Sequence, residues 1–179
     1  KEQGKLKDNT IVATVMSNLG FFLMGKEQGI HIEQTKVGDR YVLERMLEIG
    51  ANLGGEQSGH IIFLDENTTG DGLLSALHLL QVMVDTGKPL SELSKIMTVL
   101  PQALVGAKVP NHKKDSYMEY TEIAEAIARV SAKFEGEGRV LIRPSGTEPL
   151  VRVMIEGKDQ EMIEKEAKAL AELIQNVML

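Results

Sequence analysis

At 179 residues, 42% hydrophobic and 26% charged, the chain has the composition of a folded globular protein and room for one large domain or two small ones. The formal charge of -6, with no Lys/Arg stripe interleaved with aromatics, argues against nucleic acid as a partner, and the lack of Cys excludes a disulfide framework, a thiolate zinc site and a Cys nucleophile. No apolar run approaches membrane-spanning length and no signal peptide is read, so the expected location is the cytoplasm. With 4% aromatics and no Trp, the cores must be aliphatic. Lys1 opens the chain without Met on a short polar stretch, which suggests a piece of something longer.

Ile11-Val12-Ala13-Thr14-Val15-Met16 is a continuous apolar run, the pattern of a strand buried on both faces. Ser17 or Asn18 offers an N-cap for a helix from Leu19 to Gln28, ended by Gly29. His31 to Thr35 reads as a second short strand. Asp39 is expected to cap a helix from Tyr41 to Ile49, closed by Gly50. Leu53 and Ile61 to Leu64 form the arms of a turn carrying Gly54 to His60. Asp71 starts a helix from Leu73 to Asp85 that is apolar nearly all round and so is expected to be buried. A brief helix, Leu90 to Met97, closes this half, whose alternation of strand and helix predicts a βαβ-layered α/β domain.

Thr98 to Gly106, with Pro101 inside, reads as a domain joint. Beyond it the pattern predicts a strand from Ala103 to Val109. A capping box at Ser116 and Glu119 should open a helix striped by Tyr120, Ile123, Ile127, Val130 and Phe134. Two strands follow, and a last helix from Asp159 carries Ile163, Ala167, Leu170, Ile174 and Val177. The second half is therefore a small α+β domain of order β-α-β-β-α.

Its hairpin holds Arg143-Pro144-Ser145-Gly146-Thr147-Glu148-Pro149. Each proline pushes the residue before it toward extended backbone, stiffening both ends of the loop. Gly146 is free to take positive φ, which lets successive N–H groups converge into an anion nest, and the Ser145 and Thr147 hydroxyls add donors. Arg143 supplies charge and a planar fork suited to phosphate. Arg139 and Arg152 on the same two strands make a local positive island in an acidic chain. A rigid polar turn is the plainer alternative, but the arginine and paired prolines favour a solvent-facing phosphate clamp.

Gly54 to His60 has a different character. Glu56 would repel a phosphate, yet it can accept two hydrogen bonds from neighbouring hydroxyls, as a sugar diol presents, and Gln57, Ser58 and His60 add polar groups around Gly59. Gly55 to Gly59 is not a nucleophile elbow, because Ser58 stands one position too late. From its residues alone this turn is equally a flexible glycine hairpin facing water. The phosphate loop tips the balance toward a phosphosugar site lying across a cleft. The four His never approach metal spacing, so no metal site is expected within the chain: His31 and His112 read as surface residues and His78 as a packed or boundary residue.

At these two loops the chain resembles the α-D-phosphohexomutase family. Gly55-Glu56-Gln57-Ser58-Gly59-His60 is similar to the family's sugar-binding loop, and Gln57 fits the glucosamine branch better than the glucose or mannose branches. Arg143 to Pro149 followed by Arg152 is similar to its distal phosphate loop. Val37-Gly38-Asp39-Arg40-Tyr41 and Thr69-Gly70-Asp71-Gly72 also resemble stretches of its third domain. The resemblance implies domain three at 1–98, a hinge at 99–103 and the C-terminal domain at 104–179. It implies sugar contacts from Glu56, Gln57, Ser58, Gly59 and His60, phosphate contacts from Arg143, Ser145, Gly146, Thr147 and Arg152, and cleft-lining positions for Asp39 and Arg40.

Members of the family carry a phosphorylated serine in domain one and an aspartate-rich Mg2+ loop in domain two. Neither has an equivalent here, so no catalytic residue and no bound cofactor is expected in this chain, and the missing N-terminal domains are implied partners. The implied reaction interconverts glucosamine 6-phosphate and glucosamine 1-phosphate through a bisphosphate, feeding UDP-N-acetylglucosamine synthesis, in an enzyme that forms homodimers. A sister mutase for glucose or mannose phosphates, or a non-catalytic assembly module, are the alternatives.

Overall fold

The structure is a computed structural model and describes residues 1–179. The chain forms two compact units, Lys1–Val99 and Leu100–Leu179, each with its own sheet.

In the first unit β1 (Thr10–Thr14) lies between two parallel neighbours, β2 (His31–Thr35) and β3 (Leu53–Gly55), with β4 (Ile61–Phe63) antiparallel outside β3. Flanked on both sides, β1 buries Val12, Ala13 and Thr14 almost completely, which is why its sequence does not alternate. Helix α1 (Leu19–Gln28) starts where the Asn18 side chain accepts the Gly20 N–H at 3.0 Å, and stops at Gly29, whose φ of 61° is left-handed.

Helix α2 (Asp39–Ile49) begins earlier than expected. Gly38 takes the cap position with φ 134°, a conformation that L side chains rarely adopt, so Asp39 is already helical and its carboxylate accepts only the Arg40 N–H, at 2.8 Å. Val42 and Met46 of α2 pack with Val12, Ala51 and Ile62 to form the unit's core. Gly54 permits that contact, because a Cβ there would fall 2.5 Å from the Met46 sulfur.

Helix α3 (Gly72–Thr86) is capped as expected, Asp71 accepting the Leu73 and Leu74 N–H groups at 2.9 and 3.0 Å. Its burial is not as expected. No residue of α3 is buried, and Leu73 and Val84 are 74% and 77% exposed. The helix is tethered through His78, whose ring stacks on Phe63 at 4.0 Å and whose Nε2 lies 2.7 Å from Glu66, while Leu73, Leu77, Leu79 and Leu80 remain exposed. Apolar composition all round sets what a helix can bury; neighbours decide what it does bury. Because the cap acts on a helix with little packing, Asp71→Ala is expected to cost about 1 kcal/mol and to speed amide exchange at the start of α3, measured by hydrogen–deuterium exchange. The closing segment also differs from the single helix expected: α4 (Leu90–Leu93) passes into a 3-10 turn, Ser94–Ile96.

In the second unit β5 (Gln102–Lys108) is followed by a 3-10 segment, Lys114–Glu119, then α5 (Thr121–Lys133), β6 (Arg139–Pro144), β7 (Leu150–Glu156) and α6 (Gln160–Met178). The expected capping box does not form. Ser116 lies inside the 3-10 segment and its hydroxyl donates to the Lys113 carbonyl at 2.8 Å, while Tyr120 precedes α5 without a side-chain cap. β7 is central and antiparallel to both neighbours. One face of β7, Val151, Val153 and Ile155, packs with Ile163, Ala167, Leu170, Ile174 and Met178 of α6 and Ile123 and Ala126 of α5. The other face carries three cross-strand rows: Gln102–Glu156–Arg139, Leu104–Met154–Leu141 and Gly106–Arg152–Arg143.

Candidate functional site

In the first unit the candidate hydroxyl reader is the turn between β3 and β4. Glu56 N–H donates to the His60 carbonyl at 2.9 Å and Gly59 N–H to the Glu56 carbonyl at 3.0 Å, and Gly59 has φ 98°, so this position needs its glycine. The turn is thereby held as a defined loop rather than a floppy one. Gln57, Ser58, Gly59 and His60 are exposed, with Ser58 Oγ and His60 Nδ1 3.1 Å apart. Glu56 is half-buried, and its Oε1 accepts the Gly38 N–H at 2.9 Å. One carboxylate oxygen is therefore committed to the loop before α2, and the other is available to accept from a hydroxyl.

That bond brings Val37 to Arg40 to the turn, and a Cβ on Gly70 would sit 3.4 Å from the His60 ring, so the Thr69 to Gly72 stretch borders it as well. Asp39 sits exposed next to Gly38. Arg40 is drawn along α2 instead, its Nε 2.7 Å from Glu44, which raises the guanidinium pKa further above its usual value. Beside the turn a cavity of about 370 Å3 opens among Ile11, Phe21, Leu53, Ile61, Met97 and Gln57.

In the second unit the phosphate loop closes the β6–β7 hairpin. Ser145 N–H donates to the Leu150 carbonyl at 2.9 Å, and the Glu148 N–H reaches Ser145 Oγ at 3.3 Å. The N–H groups of Gly146 and Thr147, both exposed at the tip, donate to no other group of the chain. Two expectations about this loop change. Gly146 keeps φ outside the positive region, so the exposed amides arise without a left-handed residue. The loop is also not wholly solvent-facing, for Ser145 is buried and Arg143 half-buried. The Ser145 hydroxyl accepts from Glu148, which orders the loop from within.

Arg143 is the electrostatic centre. Its Nε is buried without a hydrogen-bond partner and no carboxylate pairs with its guanidinium. Burial pulls its pKa below the usual guanidinium value, and Arg152, paired directly across the strand, pushes the same way. Like charges directly opposite on a sheet repel, so an anion at this tip would relieve a cost the fold otherwise carries. Arg152 is partly compensated, its guanidinium 2.5 Å from Glu148. Arg139 does not belong to the island: it lies four residues back along β6, on the order of 13 Å from the Arg143 row, and binds the fully buried Glu156 at 2.5 Å.

Two further residues support the loop. Lys114 donates to the Ser145 carbonyl at 2.7 Å, and the Tyr117 hydroxyl donates to the Ile142 carbonyl at 3.0 Å. Neither was legible, because each reaches across more than twenty residues to a backbone oxygen. Glu148 was not read as a partner either: it stands at the end of the loop, two residues before β7 begins, and pairs with Arg152 of that strand. No three His, Asp or Glu side chains converge in either unit in an arrangement that could hold a metal ion. No helix is long and apolar enough to cross a membrane.

Two family models match the chain: "Phosphoglucomutase/phosphomannomutase, alpha/beta/alpha domain III" over residues 1–100 and "Phosphoglucomutase/phosphomannomutase, C-terminal domain" over residues 79–173. The phosphoglucosamine mutase of Caldicellulosiruptor bescii is 61% identical over 98% of this chain, and that of Acetivibrio thermocellus is 62% identical over 98%. The chain spans 39% of the length of each. Among solved structures, Aspergillus fumigatus N-acetylphosphoglucosamine mutase in complex with GlcNAc-6P and magnesium aligns with a TM-score of 0.75 at 16% identity, over 98% of this chain and 40% of that one, a likeness of fold. With two family models spanning both units, and relatives of the same family 61% identical along nearly its whole length, the chain belongs to the phosphoglucomutase/phosphomannomutase family, of which it comprises domain III and the C-terminal domain.

Proposed function

We propose that this chain is the substrate-recognition part of a phosphoglucosamine mutase, an isomerase interconverting glucosamine 6-phosphate and glucosamine 1-phosphate in the cytoplasm for UDP-N-acetylglucosamine synthesis. Residues 1–98 read the sugar, 104–179 hold a phosphate, and within the 99–103 link the hinge falls before Gln102, because Gln102 and Ala103 already pair with β7. The observation that carries the reading is Arg143: a half-buried guanidinium with no carboxylate partner, on a loop whose Gly146 and Thr147 amides are unspent. Arg143, Ser145, Gly146, Thr147 and Arg152 grip whichever phosphate is not reacting. Glu56, with one oxygen free, accepts a sugar hydroxyl, and Gln57, Ser58, Gly59 and His60 complete that contact, with Asp39 and Arg40 alongside. Gln57 supports glucosamine over glucose or mannose.

Such groups hold the substrate in place and stabilise charge, and these two effects account for most of the catalysis of phosphoryl transfer. The transferring phosphoserine and the Mg2+ loop belong to the remaining domains of a homodimeric enzyme, and this chain alone is inactive. Glucosamine 6-phosphate titrated into the 179-residue chain should bind saturably, in the millimolar range or weaker, shifting amide resonances at 56–60 and 145–147 without forming glucosamine 1-phosphate. Isomerisation by this chain alone would refute the division of labour. Equal competition by mannose 6-phosphate would overturn the glucosamine assignment.

A further inference from the structure

The 3-10 segment Lys114–Glu119 reaches the hairpin through two side chains whose targets are both backbone carbonyls. Tyr117, half-buried and with its phenol pKa raised by burial, stays a neutral donor and bonds the carbonyl of Ile142 on the edge strand β6. Lys113, just before the segment, donates to the Met178 carbonyl at the C-terminal end of α6, 3.2 Å away. Anchored at both places, the segment delivers the Lys114 ammonium to the carbonyl of Ser145 at 2.7 Å. Lys114 makes no ion pair, so its charge is spent on that carbonyl.

The choice of carbonyl matters. Ser145 C=O and Gly146 N–H belong to one peptide unit, and in a planar trans peptide they point in opposite directions. Holding the carbonyl on the Lys114 side therefore aims the Gly146 N–H the other way, where it meets no other group of the chain. An ammonium on the oxygen also polarises the amide, making its N–H a stronger donor. Burial of Ser145 and its bonds to Leu150 and Glu148 fix the residue before this peptide, but no other hydrogen bond reaches the peptide's own C=O or N–H, and Gly146 has neither a side chain to pack nor a neighbour within 4 Å of its Cβ position.

We propose that Lys114 is a positioning residue for anion binding, which sets and polarises the Ser145–Gly146 peptide so that the Gly146 N–H donates to the bound phosphate. This rests on the phosphate reading of the hairpin loop, and the test separates the two. The 179-residue chain is titrated with inorganic phosphate while the Gly146 15N and Ser145 13C′ resonances are followed in the wild type, Lys114→Met, Lys114→Arg and Arg143→Met. Lys114→Met should move both resonances before any phosphate is added. It should also weaken binding about tenfold, the effect of losing one hydrogen bond to a charged group, with the Gly146 response falling more than that of Thr147. Lys114→Arg, which can donate to the same oxygen, should restore most of the affinity and the wild-type Gly146 response.

If Lys114→Met binds phosphate like the wild type while Arg143→Met does not, the positioning role is overturned and the clamp stands. If Arg143→Met also binds like the wild type, the clamp falls and this role with it. Weakened binding in Lys114→Met with both resonances unmoved in the free protein would overturn positioning in favour of a plain charge effect. Should Lys114→Met not fold, Lys114→Arg decides: a folded variant that lacks the Gly146 response overturns the proposal.

Discussion

Arg143→Glu is expected to abolish detectable phosphosugar binding, a loss of at least about 100-fold in affinity, in line with removing a charge-assisted contact worth about 3 kcal/mol or more. The substitution does more than delete a contact. It places a carboxylate beside Gly146 and Thr147, whose amides are the remaining unspent donors of the tip. The fold should survive for a reason that differs from simple solvent exposure. In the wild type Arg143 is half-buried, has an unpartnered Nε and faces Arg152 across the sheet. Reversing one of two opposed like charges removes that repulsion, so stability should change little or rise. Calorimetric titration with glucosamine 6-phosphate, alongside a thermal melt of the same sample, checks both halves; wild-type affinity in the variant would sink the clamp.

Glu156→Ala is expected to act in the opposite way, destroying stability without touching the binding tip directly. Glu156 is fully buried and receives Arg139 Nε at 2.5 Å and Gln102 Nε2 at 2.9 Å, tying all three strands of the second sheet in one row. Removing the carboxylate leaves the Arg139 side chain, 19% exposed, without its counter-charge. Breaking such a pair from one side costs about 3–5 kcal/mol, which for a unit of this size lowers the melting temperature by roughly 15 °C or more. Glu156→Gln keeps an acceptor at the same place and should fall between the two. Differential scanning calorimetry decides, and a melt of Glu156→Ala within about 2 °C of the wild type would show that the row contributes little net stability.

The contrast between these two arginine partners marks the limit of local reading. Helix starts and stops follow from neighbours in sequence: Asn18, Asp71 and Asp159 bond amides two or three residues away, and Gly29 and Gly50 take left-handed conformations. The apolar run of β1 and the glycine- and proline-bounded turns are equally local, so the strands, their order along the chain and both candidate loops could be read from residues alone. Where a second local signal competed, the reading slipped: Gly38 took the cap from Asp39, and Ser116 bonded its own 3-10 turn.

Register and long-range contacts belong to the tertiary structure. Three arginines within fourteen positions looked like one positive island, but pairing Arg139 with Glu156 and Arg143 with Arg152 puts the first in a buried ion pair and leaves the second without a counter-charge. The exposure of α3, the bond from Gly38 to Glu56 and the reach of Lys114 to Ser145 depend on groups 12 or more residues apart. Residue type and spacing determined which elements form and which loops carry polar groups, because those free energies are local. Which charges are neutralised and which donors stay unspent was decided only by packing, because a side chain's partner is set by where the sheet brings distant backbone.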